Sequence, residues 1–148
     1  MHKRRGFSMI ELLVVVVLIG IIALLGFPRL QKAVASAGVR NAKSTLLGMF
    51  TRTRNVAAES SRSAKLNFNG NVVYITASPR LSGSGIDTVG TMMNLSANYG
   101  VSLTVSPSAT SIDVDPRGLA GTSTTYLILS RSGFSDTLTV APFGRMIP

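Results

Sequence analysis

The chain contains no cysteine and one histidine, His2. Disulfides therefore contribute nothing to its stability, whatever its compartment. Zinc sites built from His and Cys are excluded beyond residue 2, and so are Ser-His-Asp and Cys-His nucleophile systems. No glycine-rich phosphate cradle followed by Lys-Ser or Lys-Thr occurs. Acids are scarce, six Asp and Glu against fifteen Lys and Arg, for a net charge of +9. The carboxylates Asp87, Asp113, Asp115 and Asp136 are scattered. Asp113 and Asp115 alternate along a predicted strand and so share a side, an arrangement open to calcium but more often plainly solvated. No enzyme, no cofactor and no metal site follow from this inventory. The basic excess raises anionic lipid and nucleic acid as partners, against the plain alternative of solvated surface charge.

What the chain does have is a basic start, Lys3-Arg4-Arg5-Gly6-Phe7-Ser8-Met9-Ile10-Glu11, then an uncharged apolar run over residues 12–26. Residues 7–26 number 20, enough to cross ~30 Å of hydrocarbon as a helix. Basic residues precede the run, so the positive-inside rule puts residues 1–5 in the cytoplasm and the rest of the chain across the membrane. A secretory signal peptide has a shorter core, ~7–15 residues, and a small-residue cleavage site after it. A generic single-pass anchor explains the hydrophobicity and the orientation. It leaves the Gly6-Phe7 junction and Glu11 unexplained, and a carboxylate inside a membrane-length segment is expensive enough to mark function.

From residue 29 to about residue 60 the sequence predicts an amphipathic helix, with apolar positions Leu30, Val34, Ala37, Leu46, Met49, Phe50, Val56 and Ala57 mostly three or four apart. No proline lies between Pro28 and Pro79. Pro28 is expected to kink the helix where it leaves the bilayer. Gly38 and Gly48 each weaken the helix by ~1 kcal/mol relative to alanine. Gly20 and Gly26 are small residues suited to close helix approach. Arg29 and Lys32 fall where lipid headgroups would lie. The other basic positions, Arg40, Lys43, Arg52, Arg54 and Arg62, face one acid, Glu59, and read as a solvated helix face.

Past Ser63 the pattern turns to alternation. Residues 64–68 and 72–76 flank Asn69-Gly70, a dipeptide that suits a two-residue hairpin with both positions at positive φ. Residues 79–90 read as a loop. Further strands are expected at 101–105, 111–114, 124–129 and 136–140, with turns at 115–118 and 131–133. The fold class is α+β: one long N-terminal helix, its outer half packed on an antiparallel sheet. The domains are 1–6, a leader; 7–27, the membrane helix; 28–62, the amphipathic half; and 63–148, the sheet domain. Asn94-Leu95-Ser96 matches a eukaryotic glycosylation pattern without significance here.

The segment from Lys3 to Pro28 resembles the processing site and N-terminal helix of type IV prepilins and pseudopilins. The whole chain, in order, is similar to the H-type pseudopilins of type II secretion and the FimT-type minor pilins. That second likeness rests on residues 112–118, a strand running into a Pro-x-Gly turn, and on residues 140–145, which close in Gly-Arg. The resemblance implies cleavage between Gly6 and Phe7 by a prepilin peptidase and N-methylation of Phe7. It implies that the Glu11 carboxylate meets the Phe7 amine of a neighbouring subunit during filament assembly. The pairing lowers the cost of two charges in an apolar bundle and fixes axial register. The implied partners are other pilins or pseudopilins in a helical filament, the prepilin peptidase, the inner-membrane assembly platform and membrane lipid. The implied location is the bacterial inner membrane and the pilus or pseudopilus built from it.

The expected function is a structural subunit, a minor pilin or pseudopilin, of a type IV pilus or a type II secretion pseudopilus. One alternative is a DNA-binding minor pilin of a competence pilus, with Arg145, Arg52 and Arg54 as contacts. The other is a major pilin. Two departures stand out. Many pilins close a C-terminal loop with a disulfide, which this chain cannot do. Where some FimT-type proteins carry a further basic residue two positions after the closing arginine, this chain has Ile147.

Overall fold

The computed structural model describes residues 7–78, 85–121 and 123–147. One helix, α1 (Met9–Ser60), opens the chain and continues through Pro28. The chain divides into two units, residues 1–34 and 35–148, and α1 contributes to both.

In the first unit the described residues are helix beyond Ser8, and every one is exposed. Large apolar side chains such as Leu12, Ile22 and Leu25 stand at 61 %, 70 % and 65 % exposure. The segment is apolar all round, which is the composition of a helix that water does not surround.

The second unit begins with the rest of α1. It bears a buried stripe of Ala35, Gly38, Val39, Ala42, Leu46, Phe50, Thr53 and Ala57, spaced three or four apart. The sequence pattern finds Leu46, Phe50 and Ala57 but not the small residues before them. Leu30, Val34 and Ala37, expected on the same face, are exposed. Alanine and glycine carry little apolar signal, yet they let a sheet approach the helix closely. The helix ends in a Schellman motif. Ser61 takes the left-handed conformation at φ 51°, Arg62 N–H donates to Ala57 O at 3.1 Å, and Ser61 N–H donates to Ala58 O at 3.2 Å.

Among the described residues eight strands follow: β1 (Ala64–Asn69), β2 (Val72–Ala77), β3 (Asp87–Asn94), β4 (Ser102–Ser106), β5 (Ser111–Val114), β6 (Thr125–Arg131), β7 (Phe134–Ala141) and β8 (Arg145–Ile147). A short helix, α2 (Leu95–Tyr99), lies between β3 and β4, and a 3₁₀ turn, Pro142–Gly144, between β7 and β8. The antiparallel sheet expected from the sequence is two four-stranded sheets, ordered β3-β2-β1-β5 and β4-β6-β7-β8. All pairings are antiparallel. Both sheets turn their apolar faces to the α1 stripe, and Leu46, Leu66, Val73, Leu127 and Leu138 share one core at 0 % exposure.

The β1–β2 hairpin is placed one residue later than expected. Asn69 pairs with Val72, so Gly70 and Asn71 form the loop, and Gly70 alone has positive φ, 57°. Asn71 instead ties the two sheets together. Its Oδ1 accepts from Leu103 N–H at 2.9 Å, and its carbonyl accepts from Leu95 N–H at 2.9 Å.

Of the expected loop 79–90, residues 79–84 lie outside the described residues, and residues 87–90 open β3. This strand escaped the sequence reading because it is an exposed edge interrupted by Gly90 at φ 85°, beside a register shift against β2. β8 escaped it too: the chain does not run straight into Gly-Arg but turns through Pro142–Gly144 first.

Candidate assembly site

The N-terminal residues singled out by the sequence are set by a helix cap. Ser8 precedes α1, its Oγ accepts from Glu11 N–H at 3.2 Å, and its carbonyl accepts from Glu11 and Leu12 N–H at 3.1 and 3.2 Å. Ser8 and Glu11 thus stand at the N-cap and third helical positions, the Ser-x-x-Glu spacing of a capping box. An acid in the first turn also complements the helix dipole. The sequence reading missed Ser8, although that spacing was there to be read. Phe7 sits outside the helix, 78 % exposed. Among the described residues the ion pairs are Lys43–Asp136 and Lys65–Asp113, so no described cation neutralises Glu11. Gly6 lies outside the described residues.

Pro28 is inside α1, with helix on both sides. Arg29 and Lys32 are exposed. Among the described residues one helix is long and apolar enough to cross a membrane.

The three arginines grouped as DNA contacts do not form one surface. Arg52 and Arg54 are two apart on a helix and so diverge by about 200°. The Arg52 guanidinium lies over Gly90 of β3, where a β-carbon would come 3.0 Å from Nη2. Arg54 Nε donates to Gly118 O at 2.8 Å and holds the 115–121 loop against α1. Arg145 is exposed at the start of β8. It reaches the same corner as Arg54, because Gly144 (φ 84°) packs so closely on that loop that a β-carbon would come 2.9 Å from Ala120 N. Ile147, two residues on, shares the face of Arg145 on β8.

Three of the four scattered acids, Asp113, Asp115 and Asp136, are occupied structurally. Asp113 pairs with Lys65 at 3.1 Å on an exposed face. Asp115 Oδ1 accepts from Arg117 and Leu119 N–H at 2.9 and 2.8 Å, which shapes its loop. Among the described residues no group of three or more His, Cys, Asp or Glu is placed to hold a metal ion. Asp136, on β7, accepts from Lys43 Nζ at 2.6 Å. That hydrogen bond, opposed by desolvation and aided by the charge of Lys43, holds the Asp136 carboxyl below the usual aspartate range. Asn94, of the glycosylation-like triplet, caps α2: its Oδ1 accepts from Ser96 and Ala97 N–H at 3.0 and 3.1 Å.

A family model for the prokaryotic N-terminal methylation motif matches residues 1–27. No curated protein sequence matches the chain. Among solved structures, the chain is similar to the type IV minor pilin FimU of Pseudomonas aeruginosa strain PAO1 in two crystal forms. In space group P21 the TM-score is 0.60 at 14 % identity, over 74 % of this chain and 86 % of that one. In space group P65 it is 0.57 at 14 % identity, over 73 % and 90 %. The helix-on-sheets architecture is therefore the type IV pilin fold. The chain thus joins that fold to a prokaryotic N-terminal methylation motif over residues 1–27.

Proposed function

We propose that the chain is a structural subunit, a minor pilin or pseudopilin, which enters a filament of a type IV pilus or a type II secretion pseudopilus through α1. The observation that carries this reading is the first unit itself: an apolar helical segment exposed on every side, headed by a capped turn that presents Glu11 without a described cation. Such a segment needs a hydrocarbon or protein environment, and its acid needs a positive partner there. Cleavage after Gly6 frees the amine of Phe7, which supplies that charge from an adjacent subunit. Before assembly the segment spans the inner membrane with its basic leader in the cytoplasm, held by the prepilin peptidase and then by the assembly platform. The role is structural rather than catalytic.

The DNA-uptake alternative has three exposed arginines, but Arg52 and Arg54 diverge around α1 and Arg54 Nε is already bonded to Gly118 O. The structural reading needs nothing from them. The test is recovery of the chain with its assembled filament from wild-type and Glu11→Val cells. The variant should reach the membrane and be processed, yet be lost from the filament fraction. Undiminished recovery would reject the reading.

A further inference from the structure

The outer face of the β3-β2-β1-β5 sheet is not a plain solvated surface. Strand register lays its side chains out in two rows. Ser111, Asn67 and Tyr74 are cross-strand neighbours in one, and Asp113, Lys65, Thr76 and Thr88 in the next. Lys65, Asn67, Tyr74, Thr76, Thr88 and Ser111, with Ile86 at the rim, line a half-open pocket of about 460 Å³, a size within the ~300–1,000 Å³ range of small-molecule sites.

The chemistry of the lining is specific. Thr76, only 6 % exposed, is one of three buried polar side chains among the described residues. Its Oγ1 accepts from Asn67 Nδ2 at 2.8 Å, and Asn67 Nδ2 also donates to Lys65 O at 3.3 Å. Both amide protons of Asn67 are thereby committed. Its Oδ1 is left as an acceptor and the Thr76 hydroxyl as a donor, side by side. Lys65 and Asp113 neutralise one another at 3.1 Å, so among the described residues the face carries no net charge. Tyr74 contributes a half-buried ring, and Ile86, 74 % exposed, an apolar edge.

A paired donor and acceptor, further hydroxyls from Ser111 and Thr88, an aromatic ring and no net charge suit one ligand class. Vicinal hydroxyls on a ring match the donor–acceptor pair, and the C–H face of that ring matches Tyr74. We propose that this face binds a neutral saccharide of one or two rings. The site is separate from α1 and from filament entry, so its failure would leave the proposed function standing.

The test uses the full chain, isotope-labelled, in micelles of a detergent without a sugar headgroup. Maltose, cellobiose and N,N′-diacetylchitobiose are titrated while backbone amide shifts are followed. The first two report plain hexose glycans and the third the N-acetylated sugars of a cell wall. At least one should shift the amides of Asn67, Tyr74 and Thr76 saturably, with affinity of order millimolar. Tyr74→Ala should weaken that binding by about tenfold or more, as loss of a stacking platform does. Ser111→Tyr, which fills the cavity from an edge strand, should do the same, and Tyr126→Ala on the other sheet should not. Absence of saturable shifts with all three sugars would overturn the proposal, as would unchanged binding in Ser111→Tyr.

Discussion

Gly38 of α1 lies directly beneath the Arg131 guanidinium at the end of β6: a β-carbon there would come 2.5 Å from Nη1 and 2.8 Å from the Tyr99 carbonyl oxygen. Arg131 Nη1 donates to that same carbonyl, so the glycine makes room for a contact that joins the helix, α2 and the second sheet. The arginine side chain can swing away, but the carbonyl belongs to a capped backbone and cannot. Gly38→Ala should therefore destabilise the domain by about 1–3 kcal/mol, despite a helix-propensity gain of about 1 kcal/mol. Gly48, with nothing within 4 Å of its would-be β-carbon, is the control. Gly48→Ala should stabilise by up to about 1 kcal/mol. Thermal melts of the two variants should move in opposite directions.

The two glycines look alike in the sequence, and only the fold separates them. Much else was legible. The N-terminal motif, the long helix, the hairpin glycine, the strand at 111–114, the strand expected at 124–129 and found at Thr125–Arg131, and the Ser132-Gly133 turn all carry strong local signals: periodicity, charge placement or turn residues. What was not legible depends on long-range approach. Ala35 and Ala42 join the core because both sheets close on the helix, and a small side chain does not announce that. β3 is an exposed edge with a glycine inside it. The join between the two sheets is made by Asn71, whose side chain reaches Leu103 across 32 positions of sequence. At the N-terminus the sequence marks Phe7 and Glu11 only through their motif, whereas the grouping of Arg52 with Arg54 ignored the helical angle between them.

Asn94 caps a helix of five residues, too short to persist without its ends fixed. Asn94→Ala should cost about 0.5–2 kcal/mol. Hydrogen exchange at Ser96 and Ala97 should quicken before that of the flanking strands. Unchanged exchange there would show that packing of Leu95 alone holds the turn.

The Lys43–Asp136 pair makes part of the stability acid-sensitive. Because the folded carboxyl titrates below its ordinary value of 3.8, the unfolded chain takes up the proton first as pH falls. The contribution is complete well above 3.8, erodes below it, and is gone once the pH is under the folded value. Asp136 keeps 33 % side-chain exposure, so screening limits the pair to about 1 kcal/mol or less. Asp136→Asn should be less stable than the wild type at about pH 7, with the gap closing as the pH falls through the lowered folded value. A gap independent of pH would mean that packing, not charge, distinguishes the two.

Ser61 closes α1 in the left-handed conformation, where a side chain costs about 1–2 kcal/mol that glycine avoids. Ser61→Gly should raise the melting midpoint, by about 2–4 °C per kcal/mol gained for a domain of this size. A lowered midpoint would mean that the Ser61 side chain itself supports the turn.

The most direct test of the central claim is mass spectrometry of the N-terminus of the native chain, in parallel from the membrane and from sheared or extracted filaments. A type IV pilin-like subunit that assembles through α1 should begin at Phe7, carry a methyl group on its α-amine, and occur in both fractions. A chain that still begins at Met1 in both, or one never found with filament, would contradict the account.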